Sequence, residues 1–242
     1  MSTGIQQTIE LRRAASAKST LRDLTPAQAA AVTHGRDPLL IIAGAGTGKT
    51  MVITRRLAYL LQDRKISGDK ILAITFSNKA TEEMETRLDQ LMPIGFEGPW
   101  INTFHSFGER ILRQEAFAIG LDPAFTILTT PQQHLLVRRN FDKFELDYYR
   151  PSSNPTKFIS ALLQHFSRAK DEAVLPKAYI AWAEQQLKQL QKKSYTPAEF
   201  EEAQRQLEVA RAYQTYQELL RDQGALDLAD LIVKPLELFN RR

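Results

Sequence analysis

The 242-residue sequence has no cysteine, which excludes disulfides, thiolate metal sites and cysteine nucleophiles together and fits a reducing compartment. No window approaches the roughly 18 consecutive apolar residues that a membrane-spanning helix needs. The opening stretch MSTGIQQTIELRRAASAKSTLRDL lacks the apolar core of a secretory signal. A cytoplasmic location, away from any membrane, is the expectation. Four histidines are scattered at positions 34, 105, 134 and 165, so no histidine metal cluster is implied, and no nucleophilic triad stands out. There is no low-complexity tract. What remains is an ordinary globular composition, 43% hydrophobic and 25% charged, with room for one large domain or two small ones.

The formal charge of +4 is unevenly placed. Residues 1–70 hold 11 Lys and Arg against 5 Asp and Glu, whereas the remaining 172 hold 21 against 23. A basic N-terminal arm over residues 1–23 is expected. Such a segment either attracts a polyanion or forms a solvated face, and charge alone does not choose.

Three short apolar runs, Leu39 to Ala43 (LLIIA), Ile71 to Phe76 (ILAITF) and Trp100 to Phe104 (WINTF), have the pattern of buried parallel strands. Each precedes a helical period: Lys49 to Gln62, Lys79 to Leu91 and Ser106 to Ala118. Alternation of this kind predicts βαβ units and a parallel sheet. Beyond a short apolar run at Ala124 to Leu128, helical periods separated by proline and glycine take over, including one long helix from Thr196 to Asp222. Helix-start chemistry recurs at Thr25-Pro26-Ala27-Gln28, Thr130-Pro131-Gln132-Gln133 and Thr196-Pro197-Ala198-Glu199. A hydroxyl N-cap, an early proline and a Gln or Glu that closes a capping box would explain all three.

The strongest chemical signal is AGAGTGKT, Ala43 to Thr50, lying between an expected strand and an expected helix. Small residues (Ala43, Gly44, Ala45, Gly46, Gly48) let backbone amides approach phosphate oxygens, and the helix behind Thr47 presents orphan donors and partial positive charge. Lys49 would reach the β and γ phosphates of a nucleotide, and Thr50 would ligate Mg²⁺ through its hydroxyl. Ala43 stands where the general pattern has its first glycine.

Four ordered blocks give the sequence a wider resemblance, to the superfamily 1 DNA helicases of the UvrD, Rep and PcrA type. LTPAQAAAV (Leu24 to Val32) resembles the Q motif, whose glutamine, here Gln28, reads adenine. ILAITFSNKATEEMETRL resembles motif Ia, INTFHSFGERIL resembles motif Ib, and ALDLADLI (Ala225 to Ile232) resembles the segment where the chain re-enters the motor core. The resemblance implies a RecA-like P-loop NTPase fold, an α/β parallel sheet with an inserted, mostly helical subdomain. The expected division is a first motor part at 24–115, an insertion at 116–223 and a return segment at 224–242. ATP and Mg²⁺ are the implied ligands. Single-stranded DNA and its junctions with duplex are the implied partners, with 3′ to 5′ translocation and unwinding in a complete enzyme.

The residues of these blocks have bottom-up readings of their own. A glutamine amide can pair with the N6 and N7 edge of adenine. Phe76 suits stacking on an unpaired base, and Asn78 and Lys79 suit backbone phosphates; alternatively Phe76 is core and Ser77 or Asn78 only an N-cap. Thr103, Phe104, His105 and Ser106 sit at a strand's C-terminal end, where parallel sheets place ligands, yet Ser106 and Glu109 also read as a capping box. Met51 stands where the family usually has arginine.

Hydrolysis needs a carboxylate near Mg²⁺, a water-positioning group and a further cation. In the family the acidic block, the later motifs and the second motor domain follow the LDLADLI segment, beyond Arg242 of this sequence. Asp171 and Glu172 do not substitute, since they follow HFSRAK rather than an apolar strand and read as a solvated pair at a helix end. Asp227 and Asp230 read as members of an amphipathic helix with Leu228, Leu231 and Ile232. The expectation is therefore the N-terminal portion of an ATP-dependent DNA helicase; the alternative is a self-standing nucleotide- or single-stranded-DNA-binding module without a motor.

Overall fold

A computed structural model describes residues 20–150, 152–154, 156–192 and 195–241. Most of the expected basic arm, residues 1–19, lies outside them, as does Arg242. The chain forms two compact units, 1–104 and 105–242.

In the first unit, helices α1 (Pro26–Thr33), α2 (Lys49–Gln62) and α3 (Asn78–Asp89) accompany strands β1 (Leu72–Thr75) and β2 (Trp100–Thr103). The strands run parallel, with Leu72 opposite Trp100 and Thr75 opposite Thr103. Parallel neighbours need a crossover, and α3 supplies it. Its Met84 and Leu88, four apart and so on one face, join Leu57 and Ala58 of α2 and Ile71, Ala73 and Ile101 of the sheet in one buried core.

The run Leu39 to Ala43 corrects an expectation. It forms no helix or strand and enters no ladder among the described residues. Leu40 and Ile42 are 83% and 90% exposed, Leu39 and Ile41 each 47%. A cavity of about 450 Å³, bordered by Leu39, Ile41, Val52, Leu72 and Ile74, lies on its more covered side. An apolar run becomes a buried strand only with neighbours on its edges and cover on both faces. Here alternate residues lean toward the cavity and the others are bare.

The second unit is mostly helical. It continues α4 (Phe104–Gln114) and contains α5 (Thr130–Arg139), α6 (Ile159–Asp171), α7 (Pro176–Leu190), α8 (Pro197–Asp222) and α9 (Asp230–Asn240), with strands β3 (Thr126–Leu128) and β4 (Ala225–Asp227). β3 and β4 form a second parallel pair, Thr126 opposite Ala225. The α/β expectation is thus met by two short parallel pairs among the described residues, not by one sheet. The motif Ib helix starts at Phe104, two residues earlier than its period suggests, and a 3₁₀ turn at Ala116–Ile119 replaces its last turn.

Helix α8 buries Val209, Tyr213, Tyr216 and Leu220, a spacing of four, three and four that keeps one face inward. Phe166 of α6 lies stacked against Tyr213 and Tyr216, centroids 5.2 and 5.4 Å away. Full burial of each such ring contributes roughly 2 kcal/mol or more from apolar area alone. Elsewhere Gly108 of α4 faces the carbonyl of Leu231 so closely that an added Cβ would lie 1.9 Å from its oxygen. Pro235, inside α9, has no N–H to offer that carbonyl four residues back, and only glycine permits the approach.

The second correction concerns Asp227 and Asp230. Asp227 ends β4 instead of lying on a helix, and both carboxylates are buried. Lys170 of α6 reaches both, 2.6 Å from Asp227 and 2.9 Å from Asp230. The Tyr216 hydroxyl donates to Asp227 at 3.0 Å, and the two aspartates exchange backbone-to-side-chain bonds at 3.1 and 3.0 Å. One ammonium cannot neutralise two buried carboxylates. Desolvation accordingly raises the pKa of Asp230, opposed by Lys170 and assisted by Asp227. The folded state therefore holds that proton at higher pH than the unfolded chain, and this group's favour for folding fades as pH climbs from its ordinary range through the raised value. Asp171 and Glu172, by contrast, are exposed at the end of α6.

Lys170→Ala strands both carboxylates in the interior, and breaking a buried pair this way costs about 3–5 kcal/mol. Urea unfolding should show that loss, whereas Lys188→Ala, at an exposed site, should stay within about 0.5 kcal/mol of the parent.

Candidate nucleotide site

Helix α1 begins as its sequence requires. Thr25 is the N-cap, Pro26 the first helical residue, and Gln28 closes the box: the Gln28 amide N–H donates to Thr25 Oγ1 at 3.3 Å and the Thr25 N–H donates to Gln28 Oε1 at 2.9 Å. The Thr196 box has the same form, with Glu199 in the glutamine's place. The third is shifted by one residue. Thr129, not Thr130, caps α5, with Gln132 closing the box and Pro131 in the second helical position.

At its other end α1 is clamped by Arg56 of α2. The guanidinium donates to Val32 O at 2.7 Å, to His34 O, and to Gly35 O at 2.8 Å. Those carbonyls belong to the terminus that lacks intrahelical partners. Nothing in the Arg55-Arg56 pair distinguishes this residue in sequence.

Between them runs the glycine-rich loop. Gly46 and Gly48 adopt left-handed backbone, φ +75° and +83°, conformations that side-chain-bearing residues rarely take. Gly48 is the N-cap of α2 and offers no side-chain cap, so the first amides of the helix remain available to an external acceptor. The Lys49 ammonium folds back onto the carbonyls of Ala43 and Gly44, at 3.0 and 2.6 Å, and the Thr47 hydroxyl donates to Gly44 O at 2.8 Å. Met51 lies against Gly48, its Cε 3.2 Å from where a Cβ would stand. Gln28 reaches across nineteen positions to the loop, its Nε2 donating to Thr47 O at 3.1 Å. Gln28, Ala43, Thr47, Lys49 and Ile53 border a cavity of about 350 Å³, the scale of a small-molecule site.

Thr50 follows Lys49 in the first turn of α2. Among the described residues no group of three or more His, Asp or Glu is placed to hold a metal. Thr50 is the side chain whose chemistry fits Mg²⁺, a cation that keeps several waters and is commonly bound through phosphates with few protein ligands.

The other site residues divide. Phe76, just past β1, is 98% exposed and so is not core. Ser77 caps α3 by accepting from Ala80 N–H at 3.3 Å, with Asn78 and Lys79 exposed in the first turn. Thr103 is buried at the end of β2, Phe104 is 58% exposed and His105 is exposed. Ser106 lies within the first turn of α4, not at its cap, and the Glu109 carboxylate accepts from Arg113 at 2.8 Å. The Ser106–Glu109 box is thus replaced by an i,i+4 pair.

Residues 24–242 match the UvrD/REP helicase N-terminal domain. The chain belongs to that family. Among curated relatives, it is 35% identical over 222 residues to the ATP-dependent DNA helicase PcrA of Bacillus subtilis, covering 91% of this chain and 27% of that protein. It is 36% identical over 221 residues to PcrA of Staphylococcus epidermidis, with the same coverage, and 37% over 215 residues to PcrA of Leuconostoc citreum, covering 88% of this chain and 25% of the relative. The chain thus spans about a quarter of the length of these helicases. As a UvrD/REP-family domain it has, among its described residues, no helix long and apolar enough to cross a membrane.

Proposed function

We propose that the chain is the ATP-binding part of a DNA helicase: a RecA-like motor segment over 24–115 and 224–242 with a helical insertion over 116–223. The observation that carries this reading is the loop at 43–50, left-handed at Gly46 and Gly48, opening α2 beside Gln28. In this family context, phosphate oxygens are received by the loop amides and the first turn of α2. Lys49 would exchange its two loop carbonyls for the β and γ phosphates, and the Thr50 hydroxyl would be the protein group to hold Mg²⁺. The cation, when bound, neutralises phosphate charge. The adenine lies on the Gln28 side, where the cavity is bordered by Ile53 and Ala31. Phe76, Asn78, Lys79, Thr103, Phe104, His105 and Ser106 are the candidate single-stranded-DNA contacts, Thr103 being the buried one among them. Translocation from 3′ to 5′ and strand separation belong to the complete helicase. Among the described residues no acidic side chain borders the cavity at the loop; the role proposed for this chain is to bind and orient the nucleotide, with little DNA-stimulated ATPase expected from it alone.

Calorimetry should show Mg-ATP binding that Lys49→Ala weakens by about 1.5–3 kcal/mol, the range for a charge-assisted contact, or roughly 10- to 150-fold. An unchanged affinity would remove the phosphate site from this loop.

Single-stranded oligonucleotide binding should weaken with salt as counterion release requires. Phe76→Ala should cost about 1–3 kcal/mol, as for one stacked base; fluorescence anisotropy that finds equal affinity would discard Phe76 as a stacking platform.

A further inference from the structure

Gln28 has a second task available to it, in addition to the base reading proposed above and resting on that same phosphate site. The three capping boxes provide an internal comparison. Gln132 and Glu199 close theirs without a bond to a distant segment among the described residues. Gln28 uses its oxygen for the cap and its nitrogen for Thr47 O.

The Thr47 carbonyl is a consequential target. It belongs to the peptide linking Thr47 to Gly48, with left-handed glycines at 46 and 48. Glycine's wide range of φ gives such a peptide little intrinsic resistance to rotation, so its orientation is set by what holds it. A trans peptide directs its C=O and N–H to opposite sides. Holding the carbonyl toward Gln28 therefore turns the Gly48 N–H away from Gln28. Gln28 lies beside Gly48: a Cβ at Gly48 would stand 3.4 Å from Nε2, at ordinary contact distance.

We propose that Gln28 is a positioning residue for the phosphate loop. By fixing the Thr47–Gly48 peptide it presets the Gly48 N–H for a phosphate oxygen, so it contributes to affinity for the phosphate chain itself, with no base present. A corollary is that half of the amide's hydrogen-bonding capacity is already in use. With one Oε1 lone pair on Thr25 and one Nε2 hydrogen on Thr47, one acceptor and one donor position remain for adenine.

The test uses a ligand without a base. Sodium tripolyphosphate is titrated with Mg²⁺ into the 242-residue chain and into Gln28→Met, Thr25→Ala and Lys49→Ala, by calorimetry and by the Gly48 amide resonance. Gln28→Met keeps the side chain's bulk and removes both bonds. Thr25→Ala removes the cap hydroxyl and leaves the Gln28 bond to Thr47. The proposal expects Gln28→Met to bind tripolyphosphate roughly 3- to 10-fold more weakly, the effect of one neutral hydrogen bond, with the ligand-induced Gly48 shift diminished. Thr25→Ala should stay within about twofold, its Gly48 shift intact. Equal tripolyphosphate affinity in Gln28→Met and parent, with ATP affinity reduced, would make Gln28 a base reader only and overturn the proposal. A matching loss in Thr25→Ala would overturn it too, by assigning the effect to the cap. If the parent binds no tripolyphosphate, or binding survives Lys49→Ala, the phosphate-site reading itself fails, and the proposal with it.

Discussion

The bond from Gln28 Nε2 to the Thr47 carbonyl joins two segments that the site requires to act together. One side depends on α1 being held in place, by its capping box at the start and by Arg56 at the end. The other is a loop in which Gly46 and Gly48 hold left-handed backbone. Lys49 and the Thr47 hydroxyl hold carbonyls on the loop's own chain, at Ala43 and Gly44. Gln28 reaches the loop from a separate helix. A neutral hydrogen bond of this kind contributes only about 1 kcal/mol, yet it acts on a peptide that has little else to orient it.

The helical unit is organised differently. Its polar centre, Lys170 with Asp227, Asp230 and Tyr216, is buried, and the Tyr216 ring beneath the ammonium stacks in turn on Phe166. Burial pushes the Tyr216 phenol well above its usual range, with the Asp227 carboxylate acting in the same direction. The hydroxyl thus remains a donor to Asp227. The cluster links α6 to β4 and the start of α9, which lie 57 and 60 positions further along the chain. In buried form such a network adds less to net stability than apolar packing of the same volume, while loss of one member is costly.

Legibility in the sequence followed the range of the interactions. The glycine-rich loop stands out in the sequence because five pattern positions, Gly44, Gly46, Gly48, Lys49 and Thr50, fall within eight residues, and the helix behind it spans Lys49–Gln62 as the period indicates. Helix α8 was readable from its capping box and long amphipathic period. Leu39 to Ala43 was read as a strand because apolar runs signal burial, but pairing depends on a neighbour that the run does not encode. The α5 cap slipped by one residue because Thr129 and Thr130 are both acceptable caps and only the geometry around Pro131 chooses. The sequence places Asp227 and Asp230 together on an amphipathic helix; it holds no local sign that Asp227 ends a strand or that both are buried, because their counter-ion Lys170 lies 57 and 60 residues away. Arg56 had no local signature, since the carbonyls it serves are more than 20 positions distant.

The phosphate site is tested most directly by mapping backbone and side-chain amide resonances of the ¹⁵N-labelled chain during titration with Mg²⁺ and a non-hydrolysable ATP analogue. The largest shifts are expected at the amides of 44–51 and at the Gln28 side-chain NH₂, with the helical unit at 130–222 little changed. Saturable shifts confined to the helical unit, with 44–51 and Gln28 unmoved, would contradict a nucleotide site at this loop.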